Sequence, residues 1–143
     1  MKPVNKFSMK FMSRSSNESF SRSVVSAFAS QLDPTIEELS DIKTAVSEAV
    51  TNCIVHAYPD ELGTITLRCR ILKDNTLDIV VKDRGVGIAD VEKAMQPMFT
   101  TGGAERSGMG LTIIDSFMSS MTITSIPGKG TTVHMRRKLQ RRK

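Results

Sequence analysis

The stretch VSEAVTNCIVHAY, residues 46–58, decides the fold. Its apolar positions Val46, Ala49, Val50, Cys53 and Ala57 keep a helical period and continue one begun by Ile36, Leu39 and Ile42, so a helix is expected with one face on a core. Pro34 and a Thr35/Glu38 capping box start that helix, and Pro59 stops it near Tyr58. Glu48 and Asn52 occupy a neighbouring face. Residues four apart lie one above the other on a helix, so this carboxylate and this carboxamide read as one site beside the core.

Upstream, Phe7, Met9 and Phe11 alternate with polar residues as in a strand, and Phe20, Val24, Phe28 and Leu32 recur every four residues as in a helix capped by Ser16 or Asn17. Downstream, Ile65, Leu67, Cys69 and Ile71 alternate, then Leu77, Ile79 and Val81, around a turn at 73–75: a hairpin. The second phase runs on to Asp83, so an inward strand face ends in a carboxylate that needs a partner. A short helix at 90–96, a loop at 97–107, a helix at about 110–120 and strands at 121–126 and 131–139 complete the pattern.

With 143 residues the chain can bury a sizeable core as one domain, read here as 1–139 with 140–143 a basic end. The formal charge of +5 is concentrated in MRRKLQRRK at 135–143, and without it the domain is near neutral. Such an end can touch phosphates, but direct nucleic-acid binding is not expected. No apolar run is long enough for a membrane span and the first residues hold no signal-peptide core, which points to the cytoplasm. Cys53 and Cys69 lack metal or redox spacing and read as buried thiols, and His56 and His134 have no ligand cluster around them. No serine sits in a nucleophile elbow.

Eight of the nine glycines lie from Gly85 onward. Asp83-Arg84-Gly85-Val86-Gly87-Ile88 couples an inward carboxylate to glycines that let backbone approach a ligand closely, and an exocyclic amine would satisfy that carboxylate. Ser107-Gly108-Met109-Gly110-Leu111 opens a helix whose unpaired N–H groups offer a phosphate seat. Met109 stands where a Walker A loop requires lysine, and no complete GxGxxG is present, so both familiar phosphate fingerprints are excluded. Asn52 can offer an oxygen to Mg2+, and Arg106 can meet a terminal phosphate.

In order and spacing, Glu48-x-x-x-Asn52, Asp83-x-Gly85-x-Gly87 and Gly108-x-Gly110 resemble the N-box and two glycine boxes of Bergerat-fold (GHKL) ATPases and kinases. Together NESFSRSVVSAFASQLDP, EAVTNCIVHAY, DRGVGI and ERSGMG resemble, over nearly the whole chain, the sporulation anti-sigma factors of spore-forming Firmicutes, serine kinases that restrain sigma factor F. The resemblance implies an α+β two-layer sandwich with a mixed, mostly antiparallel sheet and helices on one face. It implies ATP/ADP and Mg2+ as cofactors, a sigma factor as target, an anti-anti-sigma protein as serine substrate, and a homodimer.

By the same resemblance Asp83 accepts the adenine amine, Gly87 gives the base close access, Thr131 supports it and Asn52 holds Mg2+. Glu48 orients or deprotonates the attacking hydroxyl, while the loop at 97–107 acts as a lid bringing Arg106, with Thr100 and Thr101, to the phosphates. The polar side of the first helix near Ser21 and Arg22 would meet the sigma factor. Three other readings stay open: a stress-response relative of the same kinase, a histidine-kinase catalytic fragment, and a non-enzymatic nucleotide-dependent binding module.

Overall fold

The computed structural model describes residues 2–88 and 111–140. Strand β1 (Pro3–Met12) leads into helix α1 (Ser16–Ala29), a 3-10 turn (Ser30–Leu32) and helix α2 (Ile36–Asn52), which runs on as a π-helical turn (Cys53–Ala57). Then come β2 (Thr64–Leu72), β3 (Thr76–Asp83), α3 (Leu111–Phe117), β4 (Ser120–Ile126) and β5 (Gly130–Lys138). The strands form one sheet in the order β1-β2-β3-β5-β4. The sheet expected to be mixed is antiparallel in all four ladders among the described residues.

Alternation fixes which face of the sheet is covered. Ile65, Leu67, Cys69, Leu77, Ile79 and Val81 are buried with Val133 and Met135 of β5, in one core with Ile42, Val46, Ala49 and Val50 of α2. Since the side-chain period of a strand is two, this choice sends Lys10, Arg68, Lys82 and His134 to the opposite face. Phe28 of α1 meets Phe7 of β1 edge to face, with ring centroids 4.8 Å apart. α2 packs between α1 and α3.

The Thr35/Glu38 capping box forms as expected: the Glu38 amide donates to Thr35 Oγ1 at 3.0 Å and the Thr35 amide to Glu38 Oε1 at 2.9 Å. Glu38 is also buried, because its second oxygen accepts from the Gln140 amide at 2.9 Å and ties the end of the sheet to the start of α2. Arg136 and Arg137, part of the basic run at 135–143, lie on the expected last strand and pair to Asp78 and Asp41. Leu139 is buried, and its amide donates to Asn75 O.

Four expectations are corrected. The stripe of α1 is Ser21, Val25, Phe28 and Ala29 rather than one beginning at Phe20, which is 50% exposed and rests against Phe11 at the rim. Ser21, expected on the polar surface, is therefore fully buried; its hydroxyl donates to Glu18 O at 2.7 Å, so a small polar residue is satisfied inside. Ile36, expected on the core face of α2, is 92% exposed, whereas Glu38 of the same turn is buried. The helix does not run regularly to Tyr58 but widens after Asn52. The helix expected at 90–96 and the loop at 97–107 lie outside the described residues.

Candidate functional site

Asp83 is the last residue of β3, inward-facing and 6% exposed. The register sets Thr131 of β5 opposite it. Asp83 Oδ1 accepts from the amides of Gly85 at 2.9 Å and Thr131 at 3.2 Å, while Oδ2 accepts from the Cys53 thiol at 3.4 Å. A carboxylate has about four lone-pair sites, so three donors leave room for one more. Burial, and then the Asp83 carboxylate beside it, push the Cys53 thiol well above its ordinary pKa, which keeps it protonated as a donor.

The glycine turn after β3 is held against the end of the helix. Val86 N–H donates to Ala57 O at 3.0 Å, and a Cβ on Gly85 would collide with that same carbonyl. Gly87 has φ +77°, and a Cβ there would stand 2.5 Å from Ile126 O. The widened turn at 53–57, which ends the helix, is thus what brings Cys53 to Asp83 and Ala57 O to the glycines. Tyr58 fixes the outer side: its hydroxyl accepts from Arg84 N–H at 2.7 Å and lies 2.8 Å from Thr64 O, to which it donates.

Asn52, Cys53, His56, Asp83, Gly87, Ile88, Leu111 and Thr131 line one cavity of about 30 Å3. Thr131 Oγ1 shares a hydrogen bond with Ser125 Oγ at 2.8 Å, and Ser125 Oγ accepts from Ile88 N–H at 2.7 Å. Asn52 Nδ2 is buried without a partner. A buried polar atom left unpaired in this way costs stability, and it leaves the carboxamide available to a group from outside the chain. Its oxygen and nitrogen exchange places by a half-turn of the amide, so either end can face the cavity. One oxygen donor suits Mg2+, which is usually held by one or two side chains together with phosphates and waters.

Glu48 belongs to a different concavity. With Arg22, Ile36, Lys43, Thr44 and Ser47 it lines a groove of about 390 Å3 between α1 and α2. Four residues along a helix turn about 40° and rise about 6 Å, enough to aim Asn52 at Asp83 and Glu48 toward α1. The two side chains read as one site thus straddle two neighbouring concavities. Burial first, and then the Glu18 carboxylate, raise the pKa of Glu48 above its ordinary value. Arg22 Nε lies 3.6 Å from Glu18 at the same rim.

Of the residues singled out by sequence, the structure brings together Asn52, Asp83, Gly85, Gly87 and Thr131, with Glu48 and Arg22 next door. Thr100, Thr101, Arg106, Ser107, Gly108, Met109 and Gly110 lie outside the described residues. Sequence reasoning missed Ser125 and treated Cys53 as filler; only the strand register and the widened helical turn place them at Asp83. Among the described residues no group of three His, Cys, Asp or Glu side chains could hold a metal ion, and no helix is long and apolar enough to cross a membrane.

The family model described as a histidine kinase-like ATPase domain matches residues 14–137. The anti-sigma F factor of Caldanaerobacter subterraneus subsp. tengcongensis is 61% identical over 132 residues, covering 92% of each chain. That of Clostridium acetobutylicum is 50% identical over 135 residues, covering 94% of each. Among solved structures, the RsbU and RsbW domains of a Mycobacterium tuberculosis protein align with a TM-score of 0.71 at 17% identity, covering 98% of this chain and 34% of that one. A mycobacterial sensor histidine kinase aligns at 0.56 and 19%, covering 73% and 74%. These two likenesses speak for the fold, an α+β Bergerat-type sandwich, while the family model makes the domain a nucleotide-binding one. On sequence likeness over nearly its full length, the chain belongs to the anti-sigma F factor family of histidine kinase-like ATPase domains.

Proposed function

We propose that this chain is an anti-sigma factor and ATP-dependent protein-serine kinase: it binds and restrains a sigma factor of the F type and phosphorylates a serine of an anti-anti-sigma antagonist. It would act as a cytoplasmic homodimer, with 1–139 as the catalytic unit and 140–143 an appended basic end. The observation that carries the reading is the cavity where Asp83 keeps an acceptor site free and Asn52 turns an unpartnered carboxamide. Asp83 receives the exocyclic amine of adenine, and Thr131, held by Ser125, flanks the ring.

Transfer needs little covalent chemistry from the protein and much positioning. The acceptor serine oxygen attacks the γ-phosphorus, the bond from that phosphorus to the ADP oxygen breaks, and the hydroxyl proton passes to Glu48. The raised pKa of Glu48 brings it nearer the working pH of a general base. The groove from Ile36 to Glu48 gives the acceptor segment a place to lie against that carboxylate. Asn52 would hold Mg2+, which when bound neutralises phosphate charge. Arg106, Thr100 and Thr101 would attend the outer phosphates and 107–110 the inner ones. Arg22, at the groove rim, would serve the sigma-binding surface; buried Ser21 would support it from beneath.

The test is intact-mass spectrometry of the antagonist after incubation with this protein and MgATP. A gain of one phosphate on a single serine is expected. An unmodified antagonist that still forms a nucleotide-dependent complex would overturn the kinase half of the reading and leave a binding switch.

A further inference from the structure

Helices cover one face of the sheet; the other carries an imbalance of charge. In its third cross-strand row, Arg70, Asp78 and Arg136 stand side by side on β2, β3 and β5. Asp78, 1% exposed in its side chain, accepts from Arg70 Nε at 2.9 Å and Arg136 Nε at 2.7 Å, with His134 Nε2 at 2.5 Å. The fold thus balances the cations of that row with a buried carboxylate.

Among the described residues, the neighbouring end of the same face has no such carboxylate. The register aligns Lys10, Thr66 and Lys82 across β1, β2 and β3, a span of about 10 Å at the usual strand spacing. Arg68 and Thr64 lie two residues to either side on β2, and Arg84 two beyond Lys82. Among the described residues, these six line a concavity of about 280 Å3 with four cations, two hydroxyls, no carboxylate and no apolar side chain. Among the described residues none of the four cations is in an ion pair, although Arg22, Arg70, Arg136 and Arg137 all are. Like charges on adjacent strands repel. Placed around a concavity rather than spread along a flat face, they raise the local potential for an anion.

We propose that Lys10, Arg68, Lys82 and Arg84, with Thr64 and Thr66, form a binding site for a small diphosphate-bearing anion on the face of the sheet opposite the described helices. Arginine forks and lysine point charges converge from three strands, which suits a ligand presenting several charged oxygens in different directions. The site is separate from the cavity at Asp83, because Lys82 and Arg84 alternate with Asp83 and face away from it.

Inorganic pyrophosphate titrated calorimetrically at low salt into the full chain and into its Asp83→Asn variant tests this. Binding is expected to persist in Asp83→Asn, to weaken as salt rises, and to fall at least tenfold in the Arg68→Gln/Lys82→Gln double variant and in Lys10→Gln. Unchanged thermal melting of the variants checks that they fold. An absence of binding at millimolar pyrophosphate overturns the proposal; so does binding that Asp83→Asn abolishes, or that the Lys10, Arg68 and Lys82 variants leave unchanged. If ADP under the same conditions matches pyrophosphate, the site reads the diphosphate group alone; if ADP binds more tightly, it reads a nucleoside diphosphate.

Discussion

Replacing Asp83 by Asn isolates the group on which the nucleotide reading turns. The fold should tolerate it: the side chain is nearly isosteric, and an amide oxygen in the Oδ1 position still accepts from the Gly85 and Thr131 amides. The other end changes sign. Where Oδ2 accepted from the Cys53 thiol and kept a site free for an amine, an NH2 group now points a donor at both. Losing a hydrogen bond to a charged acceptor costs about 1.5–3 kcal/mol, and leaving a buried donor unsatisfied costs about 1–3 kcal/mol more. Taking about 3–5 kcal/mol together, at ~1.4 kcal/mol per tenfold, Kd for ATP and ADP rises roughly 10²- to 10⁴-fold. Calorimetric titration reads the affinity, with a thermal melt run beside it. Cys53→Ala, which removes only one weak neutral donor, should weaken binding by about 2- to 10-fold. A variant Asp83→Asn that melts like the wild type and binds adenine nucleotide within threefold of it would refute the assignment.

Glu48→Gln should leave nucleotide affinity unchanged and slow transfer by about 10²–10⁴, the usual share of a general base; full transfer by that variant would remove Glu48 from the role. Because Glu48 must be ionised to accept a proton and its folded pKa is raised, the wild-type rate should fall on acidification through a value above the ordinary ~4.3, and an acid limb at or below that value would contradict the site's electrostatics. Thr35→Ala removes half of the capping box and should cost about 1 kcal/mol, lowering Tm by about 3–5 °C in a scanning calorimeter. For Asp78 burial acts to raise the pKa, but hydrogen bonds from His134, Arg70 and Arg136 outweigh it, so the folded value lies below the ordinary one. The stability it contributes is present above the unfolded value of ~3.9 and lost as pH falls through the folded one. Acid unfolding followed by circular dichroism should therefore be less steep below about pH 4 in Asp78→Asn than in the wild type, and identical acid slopes would show that the cluster adds nothing.

Legibility followed the range of the forces involved. The capping box of α2 was readable because both partners lie within one turn of chain, and the hairpin from Thr64 to Asp83 because alternation of apolar residues is itself the record of a buried face. The stripe of α1 was misjudged by one position. Phe20 and Val24 are more hydrophobic than Ser21, and only the packing of α1 against α2 and β1 buries the serine and leaves Phe20 at the rim. Glu48 and Asn52 were identified as chemically meaningful from their spacing, yet a 40° turn between them divides them between two concavities, which no spacing rule states.

By itself, then, the sequence determined the local elements, the inward direction of Asp83 and the set of polar residues worth following, since each depends on neighbours a few residues away. Tertiary structure alone decided which of them meet. The β3–β5 register carries Thr131 across 48 residues to Asp83, the widened turn after Asn52 swings Cys53 onto the same carboxylate, and the pairing of β1, β2 and β3 gathers four cations on the face of the sheet opposite the described helices. Such juxtapositions depend on register and packing angle, which are set by the whole core at once and leave no trace in any short stretch of chain.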